Sequence, residues 1–309
     1  MLDAQVERFI SPRRLVVATD LTDLDRLLPH VQGQAHGPAA SVTFVHVRPL
    51  LDNSASSETT TAGSESDARA FLSGSAKRLR EQGIDCSIVV RHGAAAQTVL
   101  EEIASNGATR LLIASHLHGH TGQTMIGTVA GALLRNSSVP VFVVPPGAPA
   151  GAHVWPRRIL HATSLSEDSR DVAKFAIDLS RRCCVELTIL HVMSESLMHS
   201  AYVRELFAAR NRQLDEMVAC STEGSCVHTV LAVGEPVAET LRVAAEIEAD
   251  WLLMGIEHDY PWWSMNTSAV SQVISEAQVP VLVVRRAMIA GGSNAASARA
   301  PDFRRATIA

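Results

Sequence analysis

Lysine is nearly missing from this chain of 309 residues: Lys77 and Lys174 are the only two, each preceded by Ala, so no Gly-Lys-[Ser/Thr] phosphate loop exists. Also absent are G-x-S-x-G, H-E-x-x-H and a G-x-G-x-x-G after the first apolar run, so the chain is not read as an enzyme. Aromatic residues make up only 4%, which leaves Ala, Val and Leu to build the interior. Charged residues are 19%, with a formal charge of -5 and a pI near 6.2, and no concentrated basic face that would suit nucleic acid. No stretch approaches about 18 uninterrupted apolar residues, and the start MLDAQVERFI has no apolar leader core, so a cytoplasmic protein without a membrane partner is expected. The five cysteines (Cys86, Cys183, Cys184, Cys220, Cys226) are odd in number and form no C-x-x-C. They read as reduced packing residues, with Cys183-Cys184 a buried pair at a helix end.

What is present is a duplication. Arg13-Arg14-Leu15-Val16-Val17-Ala18-Thr19-Asp20-Leu21-Thr22 recurs as Arg157-Arg158-Ile159-Leu160-His161-Ala162-Thr163-Ser164-Leu165-Ser166. Val42 to Val47 returns as Leu187 to Val192, Val90 to Gly93 as Leu231 to Gly234, and Arg110 to Ala114 as Trp251 to Gly255. Val139 to Val144 returns as Val279 to Val284, and the offsets run only from 140 (Val139 to Val279) to 145 (Val42 to Leu187). Five matches in one order mean a tandem repeat.

Each matched run is short, aliphatic and bounded by turn residues, as a strand buried on both faces of a parallel sheet requires. Helical spacing lies between the runs: Leu24, Leu27, Leu28 and Val31, weakened by Pro29, then Val99, Leu100 and Ile103, with counterparts at Val172 to Leu179 and Val237 to Ala245. The expected fold is α/β: two tandem, doubly wound, mostly parallel sheets of about five strands, helices on both faces. The expected units are 1–147, a linker at 148–156, a degenerate second copy at 157–286 and a flexible tail at 287–309. Residues 52–66 read as a loop.

In such a sheet ligands bind beyond the carboxyl ends of the strands, where strand order reverses. That rule selects Asp20 and the stretch Ala114 to Thr128 in the first copy, and Ser164 and Gly255 to Ser268 in the second.

On these residues both copies resemble the universal stress protein family. Its nucleotide-binding members carry an Asp after the first strand and a G-x2-G-x9-G-[ST] loop after the fourth. Glycines let the backbone approach an anion, and G-[ST] opens a helix whose N–H groups favour negative charge. The first copy reads Ala114-Ser115-His116-Leu117, nine residues, then Gly127-Thr128-Val129, so only the last element is intact. Leu117, where the family has Gly, adds a side chain and strain if its φ is positive. The second copy keeps Gly255 but has His258 and Ser164, and Trp262-Trp263 in its loop, so it is expected not to bind. The resemblance implies an ATP-type adenine nucleotide held by Ala18, Asp20, Val45, Ile113, Ala114, His116, Leu117, Gly127, Thr128 and Val129. It also implies a stress-response role and pairing of Val141 to Val144 with Val281 to Val284, covering two sheet edges.

Plainer readings stand beside these. Asp20 and Thr128 suit helix caps. His116, His118 and His120 alternate, but no carboxylate or cysteine completes a metal set, so none is expected. His46 and His191 recur at matched strand positions, which favours a structural role. The whole chain would equally serve as a nucleotide-independent interaction scaffold for an unknown protein partner. A weak ATP hydrolase is the third alternative, lacking a placed general base.

Overall fold

The computed structural model describes residues 2–10, 13–35, 39–49, 64–115, 117–118, 125–149, 155–199, 202–219, 226–256 and 269–289. The first copy runs α1 (Leu2–Ile10), β1 (Arg14–Ala18), α2 (Leu24–Gln34), β2 (Ser41–Arg48), α3 (Glu65–Glu81), β3 (Asp85–His92), α4 (Ala95–Ser105), β4 (Arg110–Ala114), β5 (Leu117–His118), β6 (Met125–Ile126), α5 (Thr128–Asn136) and β7 (Val141–Val144). The second runs β8 (Arg158–Ala162), α6 (Glu167–Cys183), β9 (Glu186–Met193), a 3-10 turn (Glu195–His199), α7 (Val203–Val218), β10 (Val227–Val233), α8 (Pro236–Glu246), β11 (Trp251–Ile256), α9 (Ala269–Glu276), β12 (Val281–Arg285) and α10 (Arg286–Ile289).

The strand order is β10-β9-β8-β11-β12-β7-β4-β1-β2-β3. Each half therefore has the order 3-2-1-4-5, all parallel, and strand order reverses beside its first strand. Both five-stranded sheets expected from the sequence are present, and the pairing expected of Val141 to Val144 with Val281 to Val284 forms. The sheets join edge to edge into one ten-stranded sheet through an antiparallel pairing of β7 with β12, with Val141↔Val283, Phe142↔Leu282 and Val143↔Val281 in register. That pairing gives each last strand the partner its open edge would otherwise take from another molecule.

Alternation along the strands sends side chains to two opposite cores. Leu15, Val17, Leu112, Phe142 and Val144 face one core with α1, α2, α3 and α6. Val16, Val45, Leu111, Ile113 and Val143 face the other with α4, α5, α8 and α9. Pro29 does not stop α2, because Leu24, Leu27, Leu28 and Val31 all bury on one stripe, and that packing outweighs one lost backbone bond.

α1 has no counterpart in the duplication and reaches across to the second copy. Its Phe9 ring meets Phe175 of α6 edge-on at 5.7 Å, and Glu7 pairs with Arg182 at 2.7 Å. Beneath it lies Arg110, fully buried, where the second copy has Trp251. Its guanidinium stacks 3.7 Å over Phe9, donates to Gln34 Oε1 at 2.7 Å and donates to the Phe9 carbonyl. Burial pushes its pKa down to about 9. The tail expected from residue 287 begins as helix instead, because Met288 and Ile289 are buried. Cys183-Cys184 is not a buried pair: Cys184 is exposed, in the left-handed conformation that ends α6. Cys226 is exposed as well. Among the described residues no helix is long and apolar enough to cross a membrane.

Candidate functional site

A cavity of about 500 Å³ opens at the carboxyl ends of β1, β2 and β4, between them and the first turns of α4 and α5. Ala18, Asp20, Val45, Ile113, Ala114, Gly127, Thr128 and Val129, all selected from the sequence, line it together. The chain brings Asp20 and Thr128 to one space although 108 positions separate them, because β1 and β4 are neighbours in the sheet. His116 lies outside the described residues. Leu117 sits in β5, its backbone extended and paired with Ile126 of β6, so the strain expected of a positive φ does not arise. The sequence reading missed Thr19, Asp23, Val47, Ala95, Val99, Ile126, Ala130 and Leu133, which complete the wall. Four of the eight, Ala95, Val99, Ala130 and Leu133, are apolar residues on the flanking helices α4 and α5, and their core-like spacing gave no sign of a void.

The turn after β1 is built around Asp20. Its Oδ1 accepts the Thr22 backbone N–H at 2.8 Å and the Thr22 hydroxyl at 2.7 Å, an Asx turn. Asp20 thus caps a turn, not α2, whose N-cap is Asp23. Leu21 between them has φ 81°, a left-handed conformation that costs a Leu roughly 1 kcal/mol or more. Thr19 Oγ1 supports it by accepting the Leu21 N–H at 2.9 Å while donating to Asp23 Oδ1. The second copy repeats this turn: Leu165 has φ 61°, Thr163 Oγ1 accepts its N–H at 3.2 Å, and Ser164 Oγ accepts the Ser166 N–H at 3.3 Å. Ser164 therefore preserves the turn of Asp20 and discards its charge. The repeated Thr-x-Leu was the signal in the sequence, for Leu165 is buried in the core and Leu21 packs half-buried against it.

The second copy also has different side chains at the cavity positions. Leu190 replaces Val45 and Met254 replaces Ile113, both buried. Its helix α8 starts with Glu235, whose carboxylate accepts the Ala238 N–H at 2.7 Å, whereas α4 starts at Ala94 without a side-chain cap. His258 and Trp262-Trp263 lie outside the described residues.

Asp20 and Asp23 are the charged side chains among the described lining residues. What favours an anion is the start of α5: Gly127 is its N-cap, no side chain caps it, and its first turn carries no acid. His46 Nδ1 donates to the Thr19 carbonyl at 3.0 Å and His191 Nδ1 to that of Thr163 at 2.9 Å, since a carbonyl only accepts. Both histidines thus pin the turn after the first strand of their copy. Among the described residues no group of three or more His, Cys, Asp or Glu is placed to hold a metal. Of His116, His118 and His120, only the His118 backbone is described.

The sequence model of the universal stress protein family matches residues 12–145 and again 156–285. The chain belongs to the universal stress protein family, as a tandem member. A universal stress protein from Archaeoglobus fulgidus DSM 4304 has a similar structure, with TM-score 0.68 at 20% identity over 88% of this chain and 96% of that one. A putative universal stress protein from Pseudomonas aeruginosa UCBPP-PA14 gives 0.59 at 15% identity over 91% and 96%. At such identities the likeness concerns the fold. Comparison with curated proteins gives no match.

Proposed function

We propose that this universal stress protein is a stress-response regulatory module whose first copy binds an adenine nucleotide of the ATP type. The observation that carries the reading is the single cavity that collects Asp20, Ala114, Gly127 and Thr128. Its volume falls in the range of roughly 300 to 1,000 Å³ in which small-molecule sites lie. Asp20 would take the adenosine side, and the uncapped start of α5 at Gly127-Thr128 the phosphates. The output is a changed protein contact, not a product, so the chain is read as a binding module and not an enzyme, acting in the cytoplasm. Mass spectrometry of gently purified protein, with thermal shift on adding ATP, tests this. Ligand at a hundredfold above Kd stabilises by about 2.7 kcal/mol, which is readily seen. Neither bound nucleotide nor shift would sink the reading.

The rival is a nucleotide-independent scaffold. It is favoured by the apolar walls and by a lining whose described charged side chains are both carboxylates. Leu117→Gly discriminates: a gain in ATP affinity points to a site damaged in this chain, while tight binding by the natural protein removes the scaffold reading. Hydrolysis is the weakest alternative, and only ATP turnover abolished by Asp20→Ala would revive it.

A further inference from the structure

The second copy keeps the shape of the ligand turn without the charge of Asp20, and one of its side chains reaches into the first copy at the helix that opens the cavity. Arg285, the last residue of β12, donates from Nη1 to the carbonyl of Arg135 and from Nη2 to that of Ser137 at 2.7 Å. Those carbonyls lie at the carboxyl end of α5, where the last turn has no intrahelical donors. Thr128 at the other end of α5 lines the cavity about 13 Å away, nine residues at about 1.5 Å each. The junction of β7 with β12 carries Arg285 to that place. The position matching Arg285 in the first copy is Pro145, which has no side-chain donor, so the first copy cannot return the contact.

We propose that Arg285 is a positioning residue for the first copy's nucleotide site: it clamps α5 from its carboxyl end and so holds the anion-facing first turn in place. A planar guanidinium spanning two orphan carbonyls fixes both the direction and the register of the helix, and its charge complements the negative end of the helix dipole. The second copy is thereby a brace supplied in the same chain. This rests on the nucleotide reading above, with phosphates at the start of α5.

The test uses the full chain with Arg285→Met and Arg285→Lys. ATP and adenosine are titrated by calorimetry, and amide exchange is followed in α5. Arg285→Met is expected to weaken ATP about tenfold, a change of about 1.4 kcal/mol, and adenosine by less than about threefold, since adenosine does not reach the helix start. Arg285→Lys keeps the charge but spans one carbonyl, so it should recover part of the ATP loss. Exchange in the last turn of α5 should quicken in both variants. ATP binding by Arg285→Met within about twofold of wild type, or equal losses for ATP and adenosine, overturns the role. Should the Met variant not fold, unchanged α5 exchange and ATP affinity in Arg285→Lys overturn it. A wild type that binds neither ligand instead overturns the nucleotide reading, and this role with it.

Discussion

Phe142 and Leu282, matching residues of the two copies, lie directly opposite each other where β7 pairs with β12. The pseudo-twofold axis of the duplication therefore passes between them, and a contact that two identical chains would make by symmetry is made here within one chain. Inside one chain the halves were free to diverge. Arg110 stands in one copy and Trp251 in the other, and the Phe142 ring meets the Trp251 ring edge-on at 5.0 Å.

Leu282→Ala removes a fully buried side chain at that axis. The expected loss is roughly 2 to 5 kcal/mol, read as a lower urea midpoint. Leu282→Asp should instead separate the transitions of the two halves, because a carboxylate placed in the core directly under the β7–β12 pairing breaks the junction before the rest of either half. A single unchanged transition for Leu282→Asp would contradict the joined sheet.

Phe9→Ala tests the reach of α1. The ring is 2% exposed and lies between Arg110 and Phe175, so its truncation should cost roughly 3 to 5 kcal/mol. Because Phe175 belongs to the second copy, faster amide exchange should appear in α6 as well as in α1. A change limited to residues 2–10 would show that α1 is an appendage.

Much of this architecture is legible in the sequence, and the reason is periodicity. Runs such as Val141 to Val144 are buried on both faces, so every position is apolar and the strand declares itself. Asp20 and Thr128 were legible because strand ends at a reversal of strand order are where such sheets bind ligands. α1 was not legible, since its buried anchor Phe9 finds its partners far along the chain, Arg110 at 101 residues and Phe175 at 166. Arg285 was equally hidden. Its meaning depends on the register of β7 against β12, which no local pattern encodes.

Acid should weaken the fold through two histidines. His30 and His161 are buried, their Nε2 atoms lack hydrogen-bond partners among the described residues, and burial pushes both pKa values down to about 4. Between about pH 6.5 and 4 the unfolded chain binds protons that the folded chain refuses, so stability is full above about 6.5 and falls as pH drops through this window. The expected loss is about 3 kcal/mol for each residue by pH 4. Urea midpoints at pH 7.5, 6 and 5 should show the decline, and His161→Leu should flatten it. A midpoint independent of pH across this range would mean that these histidines are not buried neutral.

Asp20 offers the sharpest separation of turn from ligand. Its Oδ1 holds the Thr22 N–H, and with it the left-handed Leu21, so Asp20→Ala removes the turn anchor and the charge together. Asp20→Asn keeps an oxygen acceptor for the Asx turn and removes only the charge. If the carboxylate contacts a ribose hydroxyl, Asn should weaken ATP by roughly tenfold, about 1.4 kcal/mol, with little loss of stability. Ala should do the same to binding and in addition lower stability by about 1 kcal/mol, the usual scale for a lost capping oxygen. Ser164→Ala repeats the structural half of the experiment in the second copy and should lower stability without touching ATP affinity, since Ser164, at the position of Asp20, has no carboxylate. Calorimetric titrations beside urea denaturation read both quantities. Equal ATP affinity in wild type, Asn and Ala would leave Asp20 a turn residue and move the weight of the argument to the scaffold reading.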